Sequence, residues 1–204
     1  MSIAEAKKYI QDLHAKQDNP YIWPDYLTGL PDKAAIISRL DDVLPELGKY
    51  SVAYIRISNI QSYLMKYGHN RHAEIIQWTA AVLKTTADKF KKSFVGVMNS
   101  HDFIVICLLK DMPSFIKEAE KLFNKKITAY YKKEDLNNKA TISFSKGRKA
   151  KIRIGLMRLM IVIADRELNL NKGVLIRNMG KICDEMERGD KNIIVLDKAM
   201  INKT

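Results

Sequence analysis

Phe94-Val95-Gly96-Val97-Met98-Asn99-Ser100-His101-Asp102-Phe103-Ile104-Val105-Ile106 is the stretch that decides the fold. Two short apolar runs flank a polar centre, the pattern of a β-hairpin turning near Asn99-Ser100. Strands are expected over 93–98 and 102–109. Upstream, a helix is expected over 70–91, where Ile76, Ala80, Leu83, Ala87 and Phe90 keep helical spacing. Before it come a strand over 50–57 and a helix over 59–66 that Gly68 ends. A helix over 32–47 opens on Asp32 as N-cap, with Ala35, Ile36, Leu40, Val43 and Leu44 on its apolar face. Residues 17–31 are irregular, punctuated by Pro20, Pro24, Gly29 and Pro31. Residues 2–16 form a helix with a narrow stripe of Ile3, Ala6, Ile10 and Leu13, which can dock on its own domain or on a second copy.

Downstream, Asp111 and Pro113 open a helix whose inner face carries Ile116, Ala119, Phe123, Ile127 and Tyr130. A lysine-rich connection leads to a second hairpin, 139–145 and 150–163, turning at Lys146-Gly147-Arg148. A helix over 171–187 and a short strand over 192–196 complete the pattern. This order implies an α+β fold: one mixed, largely antiparallel central sheet surrounded by helices. The expected organisation is an N-terminal helix over 1–20, one domain over 21–197 and a polar tail over 198–204.

With 204 residues, 47% of them hydrophobic, the chain can bury one well-packed domain plus an appendage. It has no apolar run of about 18 residues, so no transmembrane helix is expected. The early charges of Glu5, Lys7 and Lys8 do not fit a secretory leader. Two cysteines, Cys107 and Cys183, suit a reducing compartment, and a cytoplasmic protein is expected. The net charge of +12 favours an anionic contact, whether nucleotide, nucleic acid or acidic protein face, unless it only solubilises the surface.

Asp25-Tyr26-Leu27-Thr28-Gly29-Leu30-Pro31-Asp32-Lys33 closely resembles the Asp-x-Leu-Thr-Gly-Leu-Pro-Asn-Arg opening motif of GGDEF domains, the diguanylate cyclase family. Tyr67-Gly68-His69 is similar to the family's Tyr-Gly-His, and Phe94 to Ile106 resembles its signature hairpin. The resemblance implies a polymerase-palm-like fold over residues 21–197, and it orders residues 25–106 most firmly. It also implies which positions would carry the chemistry. The signature reads Asn99, Ser100, His101, Asp102 and Phe103, where the family has two glycines, Asp, Glu and Phe. Arg56 and Ser58 fall on the former metal positions, and Gln61 on a phosphate-region lysine. Leu64 and Ala73 fall on the guanine-reading positions, with His72 at a glycine position. Phe90 and Ser93 replace the Arg-x-x-Asp of the inhibitory cyclic di-GMP site, and Val97 replaces the arginine before the glycines.

A guanidinium cannot ligate Mg²⁺ and repels it. Aliphatic groups at Leu64 and Ala73 cannot hydrogen-bond a base edge. The resemblance therefore implies a degenerate domain with no catalytic residue, no metal and no cofactor. Asp102 is the one carboxylate left at the expected ligand positions, and an ion pair with Arg56 is expected. His69 and His72 lie three apart and could share a transition metal, although no third ligand is evident, and His101 could titrate near neutrality. Lys146, Arg148, Lys149, Lys151 and Arg153 form the densest basic run, with Ile152 and Ile154 alternating to the buried face. Together with Arg56 they are the candidates for anion or partner binding. Tyr21, Trp23 and Tyr26 are expected to cover a core edge.

The leading expectation is a non-catalytic signalling module of bacteria whose partner is another protein. The alternative is a receptor for GTP or cyclic di-GMP in which Arg56 stands in for the cation. A nucleic-acid-binding protein using the 146–153 strand comes last, because no recognisable motif accompanies the charge.

Overall fold

The computed structural model describes residues 3–16, 25–146, 150–168, 170–187, 189–197 and 200, with side chains outside 13–16 and 143–152. The five-stranded sheet has the order β2-β3-β1-β6-β7. Its strands are β1 (Tyr50–Ser58), β2 (Phe94–Val97), β3 (Asp102–Leu108), β6 (Arg158–Ala164) and β7 (Ile193–Val195). The central strand, β1, runs antiparallel to both β3 and β6. β7 lies parallel to β6, because the helix α7 (Lys172–Met186) carries the chain back across the sheet. A separate two-stranded ribbon pairs β4 (Ile142–Lys146) with β5 (Ala150–Ile154).

β1 reads as a nearly unbroken apolar run because both of its faces are covered. Ala53, Ile55 and Ile57 join a cluster with Tyr63, Ile76, Leu83, Phe103 and Phe115. This layer is built by α3 (Ile60–Tyr67), α4 (His72–Ala87) and α5 (Met112–Ile127). Val52 and Tyr54 face the other way, into a cluster with Ile36, Leu40, Met160 and Met179 from α2 (Lys33–Val43), β6 and α7.

The 25–33 segment works as a fastener. Asp25 Oδ1 accepts hydrogen bonds from the Thr28 amide (2.7 Å) and hydroxyl (2.5 Å), and the Thr28 oxygen accepts from the Leu30 amide at 3.2 Å. Gly29 takes φ +68, the left-handed region where glycine pays no Cβ penalty. Leu30 is buried, the Pro31 carbonyl accepts from Val97 N at 2.9 Å, and Asp32 caps α2 through Ala35 N at 3.0 Å. The turn thus ties α2 to the hairpin. Gly96 completes the joint: a Cβ there would lie 2.5 Å from Ile36 Cγ1 and 3.0 Å from the Pro31 carbonyl.

Four expectations need correction. The strand expected over 150–163 is two strands in two sheets. Residues 155–157 leave the ladder because side chains claim their backbone groups. Thr141 Oγ1 donates to Gly155 O (2.9 Å), Asn59 Nδ2 donates to Leu156 O (3.1 Å), and Met157 N donates to the Tyr131 hydroxyl (2.8 Å). The helix expected to reach 91 stops at Ala87, where Ser93 Oγ donates to the Ala87 carbonyl at 2.6 Å. Phe90 still packs edge-on against Phe115 from the following turn. The helix over 32–47 ends at Val43, and a 3-10 turn follows over Leu44–Glu46, with Pro45 at its start. The lysine-rich connection contains a short helix, α6 (Lys133–Asn138). Buried Asp135 anchors it: Lys66 Nζ donates to that carboxylate (2.6 Å) and to Thr141 O (2.8 Å), and the Tyr67 hydroxyl donates to the same carboxylate.

The N-terminal helix α1 (Ile3–Lys16) docks on its own domain. Ala6 and Ile10 bury against Ala81 of α4, and the Tyr9 hydroxyl donates to Thr28 O at 3.1 Å. A homodimer through the same stripe would first have to strip that contact.

Candidate functional site

A groove of about 400 Å³ opens at the C-terminal end of β1, bounded by the 99–102 turn, the start of α3 and Glu187. Arg56 and Asp102 face each other across β1 and β3 as register partners. Arg56 Nε donates to Asp102 Oδ1 at 2.6 Å and Nη2 to Oδ2 at 3.2 Å, a bidentate pair. Nη1 donates to Asp184 of α7, and Nη2 reaches the Tyr54 hydroxyl at 3.4 Å. Burial works against the guanidinium's charge, but the carboxylates of Asp102 and Asp184 outweigh it and hold Arg56 protonated well above arginine's ordinary range. The expected ion pair is therefore present, with a second carboxylate added.

This arrangement changes the electrostatics expected of the groove. One guanidinium meets Asp102 and Asp184, and Glu187 lines the same space. Burial raises the Glu187 carboxyl; Arg56 pulls it down, and Asp184 and Asp102 push it further up. Arg56, expected as an anion-binding side chain, has its charge matched internally. Its cluster does not fit a divalent cation either, because a fixed positive group lies between the two carboxylates that could ligate one. Among the described residues, no three His, Cys, Asp or Glu side chains group to hold a metal ion.

The turn keeps its shape without a positive φ at Asn99. Among the described non-glycine residues, only Asn59, Lys92 and Lys139 have positive φ. Asn99 instead folds its side chain over the turn. Its Oδ1 accepts from His101 N (3.0 Å) and Asp102 N (3.1 Å), and its Nδ2 donates to Asp102 Oδ2 at 2.7 Å. Ser100 is exposed, and Phe103 is fully buried beneath the sheet's helical layer. Ser58 is buried with its hydroxyl unpartnered among the described residues, away from the groove lining. Leu64 is buried in the core and Ala73 is exposed at the start of α4, so neither brings a polar group to a ligand.

His72 pairs with His101 and not with His69: their Nε2 atoms are 3.0 Å apart. That contact needs one protonated and one bare nitrogen. Burial holds both imidazoles below histidine's ordinary value. His69 adds to this for His72; His72 and Arg56 add to it for His101, while Asp102 opposes them. A lowered folded value means stability is present above the ordinary value of about 6.5 and is lost as pH falls through the folded one. An NMR titration of the imidazoles is expected to place both midpoints below about 6.5. Ordinary midpoints for both would contradict the contact.

Of the basic run, Arg153 is exposed on β5 and donates to Asn138 O. The side chains of Lys146, Arg148, Lys149 and Lys151 lie outside the described residues, as do Tyr21 and Trp23. The backbone register pairs Ser143 with Arg153 and Ser145 with Lys151. Sequence reasoning missed Asp184 and Glu187, because α7 is far from the hairpin in the chain and no motif marks it; it also missed Tyr54, two residues before Arg56 on β1.

No family model matches the sequence, and no curated protein matches it. Solved structures do. The GGDEF domain of DgcB from Caulobacter crescentus, in complex with c-di-GMP, superposes with TM-score 0.57 at 15% identity, over 84% of this chain and 94% of that one. The FimX GGDEF domain from Pseudomonas aeruginosa gives 0.56 at 12%, over 84% and 98%. Diguanylate cyclase SiaD from the same organism, in complex with its activator SiaC, gives 0.59 at 13%, over 93% and 67%. This α+β sheet between helical layers is a GGDEF-type fold. At these identities the likeness establishes fold alone. No helix among the described residues is long and apolar enough to cross a membrane.

Proposed function

We propose that this chain is a non-catalytic GGDEF-type domain acting as a protein-interaction or regulatory module in bacterial signalling. The observation that carries the reading is Arg56, tied to Asp102 and Asp184 at the mouth of the groove. In the family this region implies metal-bound triphosphate; here a guanidinium occupies it, with its charge taken up by Asp102 and Asp184. Three carboxylates around one guanidinium also repel a polyphosphate. The base-reading positions, Leu64 and Ala73, offer no hydrogen bond. A protein partner is in keeping with the SiaD–SiaC complex among the structural neighbours.

The nucleotide-receptor alternative draws on the c-di-GMP complex of the DgcB domain. It is the weaker reading, because it needs Arg56 free to meet phosphate. Calorimetry with GTP and with cyclic di-GMP, each with and without Mg²⁺, tests the choice. No heat that Arg56→Ala abolishes is expected at high micromolar ligand. Metal-independent binding abolished by Arg56→Ala would replace the first reading with the second. A single stoichiometric partner recovered from the native cell would identify the interaction.

A further inference from the structure

Further positive charge lies next door to Arg56. A cleft of about 770 Å³ opens between β5, the start of β6, the end of α5 and the turn after α7. It shares Asn59 and Glu187 with the Arg56 groove, so the two spaces adjoin. Ile127 and Met157 are buried and Leu156 half-buried, giving the cleft an apolar floor. Lys139, Arg153 and Arg158 supply positive charge, against Glu187 and Asp190.

These cations differ from Arg56 in how they are held. Arg158 donates to the carbonyls of Gly189 (2.5 Å) and Asp190 (3.3 Å), and Arg153 donates to the carbonyl of Asn138. Carbonyl acceptors orient a guanidinium without cancelling its charge, whereas the two carboxylates on Arg56 do cancel it. Among the described residues Arg153 uses one nitrogen, in this contact, which leaves donors of its planar fork for a ligand. The volume falls in the range of small-ligand sites, which combine an apolar lining with a few placed polar groups.

We propose that this cleft binds a small ligand that carries a phosphate group on an apolar or aromatic body. Arg153 and Lys139 hold the phosphate, and Leu156 and Met157 support the body. This gives a role to Arg153, the described member of the basic run, and it does not depend on the chemistry of the Arg56 groove.

Titration calorimetry of the full chain tests it with adenosine 5′-monophosphate and, separately, adenosine as probes at low salt. The monophosphate is expected to bind in the millimolar range or tighter, and adenosine about tenfold more weakly, as removal of a charge-assisted contact implies. Arg153→Ala and Lys139→Ala, both at exposed positions, are each expected to weaken monophosphate binding about tenfold. Lys117→Ala, on the far groove beside Ile193, is expected to leave it unchanged. No heat from millimolar monophosphate, or equal binding by the Arg153 and Lys139 variants, would overturn the proposal.

Discussion

Arg56→Ala is expected to lower the unfolding free energy by about 3–5 kcal/mol, because it strands a buried carboxylate. Asp102 is only 4% exposed, and its two oxygens take hydrogen bonds from Nε and Nη2 of Arg56. Asn99 Nδ2 still reaches Oδ2 in the variant, so one contact survives, but the opposing charge does not. The paired change Arg56→Met with Asp102→Leu removes both charges and restores apolar volume. It is expected to cost far less than Arg56→Ala alone, since the desolvation penalty disappears with the ions. Chemical denaturation of the single and double variants measures the difference. A cost below about 1 kcal/mol for Arg56→Ala would mean the pair behaves as a surface ion pair.

Phe103→Ala is the second large effect. Phe103 has no exposed surface, pairs in register with Ile55 and Val97, and lies in the cluster shared by β1, α4 and α5. Truncation removes a large apolar side chain and leaves a cavity that the sheet cannot collapse, at a cost of about 3–5 kcal/mol. Phe103→Leu keeps most of the volume and is expected to cost about half as much or less. Denaturation midpoints with an unchanged m-value check both. A near-neutral Phe103→Ala would show that this signature phenylalanine is not a core residue.

Much of the fold was legible in the sequence because its signals are local. Asp32 announces α2 by capping chemistry, and the two apolar runs flanking Asn99-Ser100 mark the hairpin. The break at 155–157 was not legible, because its cause is tertiary: Asn59, Tyr131 and Thr141 reach in from three other segments. Helix α6 was hidden by its lysine-rich surroundings, and its anchor, the Lys66–Asp135 pair, spans 69 residues.

The site divides along the same line. Register alone brings Arg56 opposite Asp102, so an ion pair could be foreseen from two strands. Asp184 and Glu187 could not, since α7 approaches only after the crossover from β6 to β7. Their arrival puts more carboxylates than guanidinium around Arg56, the residue expected to bind an anion. The histidine pairing shows the same limit: helical spacing pointed to His69 and His72, while the fold joins His72 to His101.

We propose that the domain has left cyclase chemistry. Its most direct test is incubation of the purified full chain with GTP and Mg²⁺, with chromatography of the products. No cyclic di-GMP above the protein-free control is predicted. Time-dependent formation of cyclic di-GMP in proportion to protein would contradict the account.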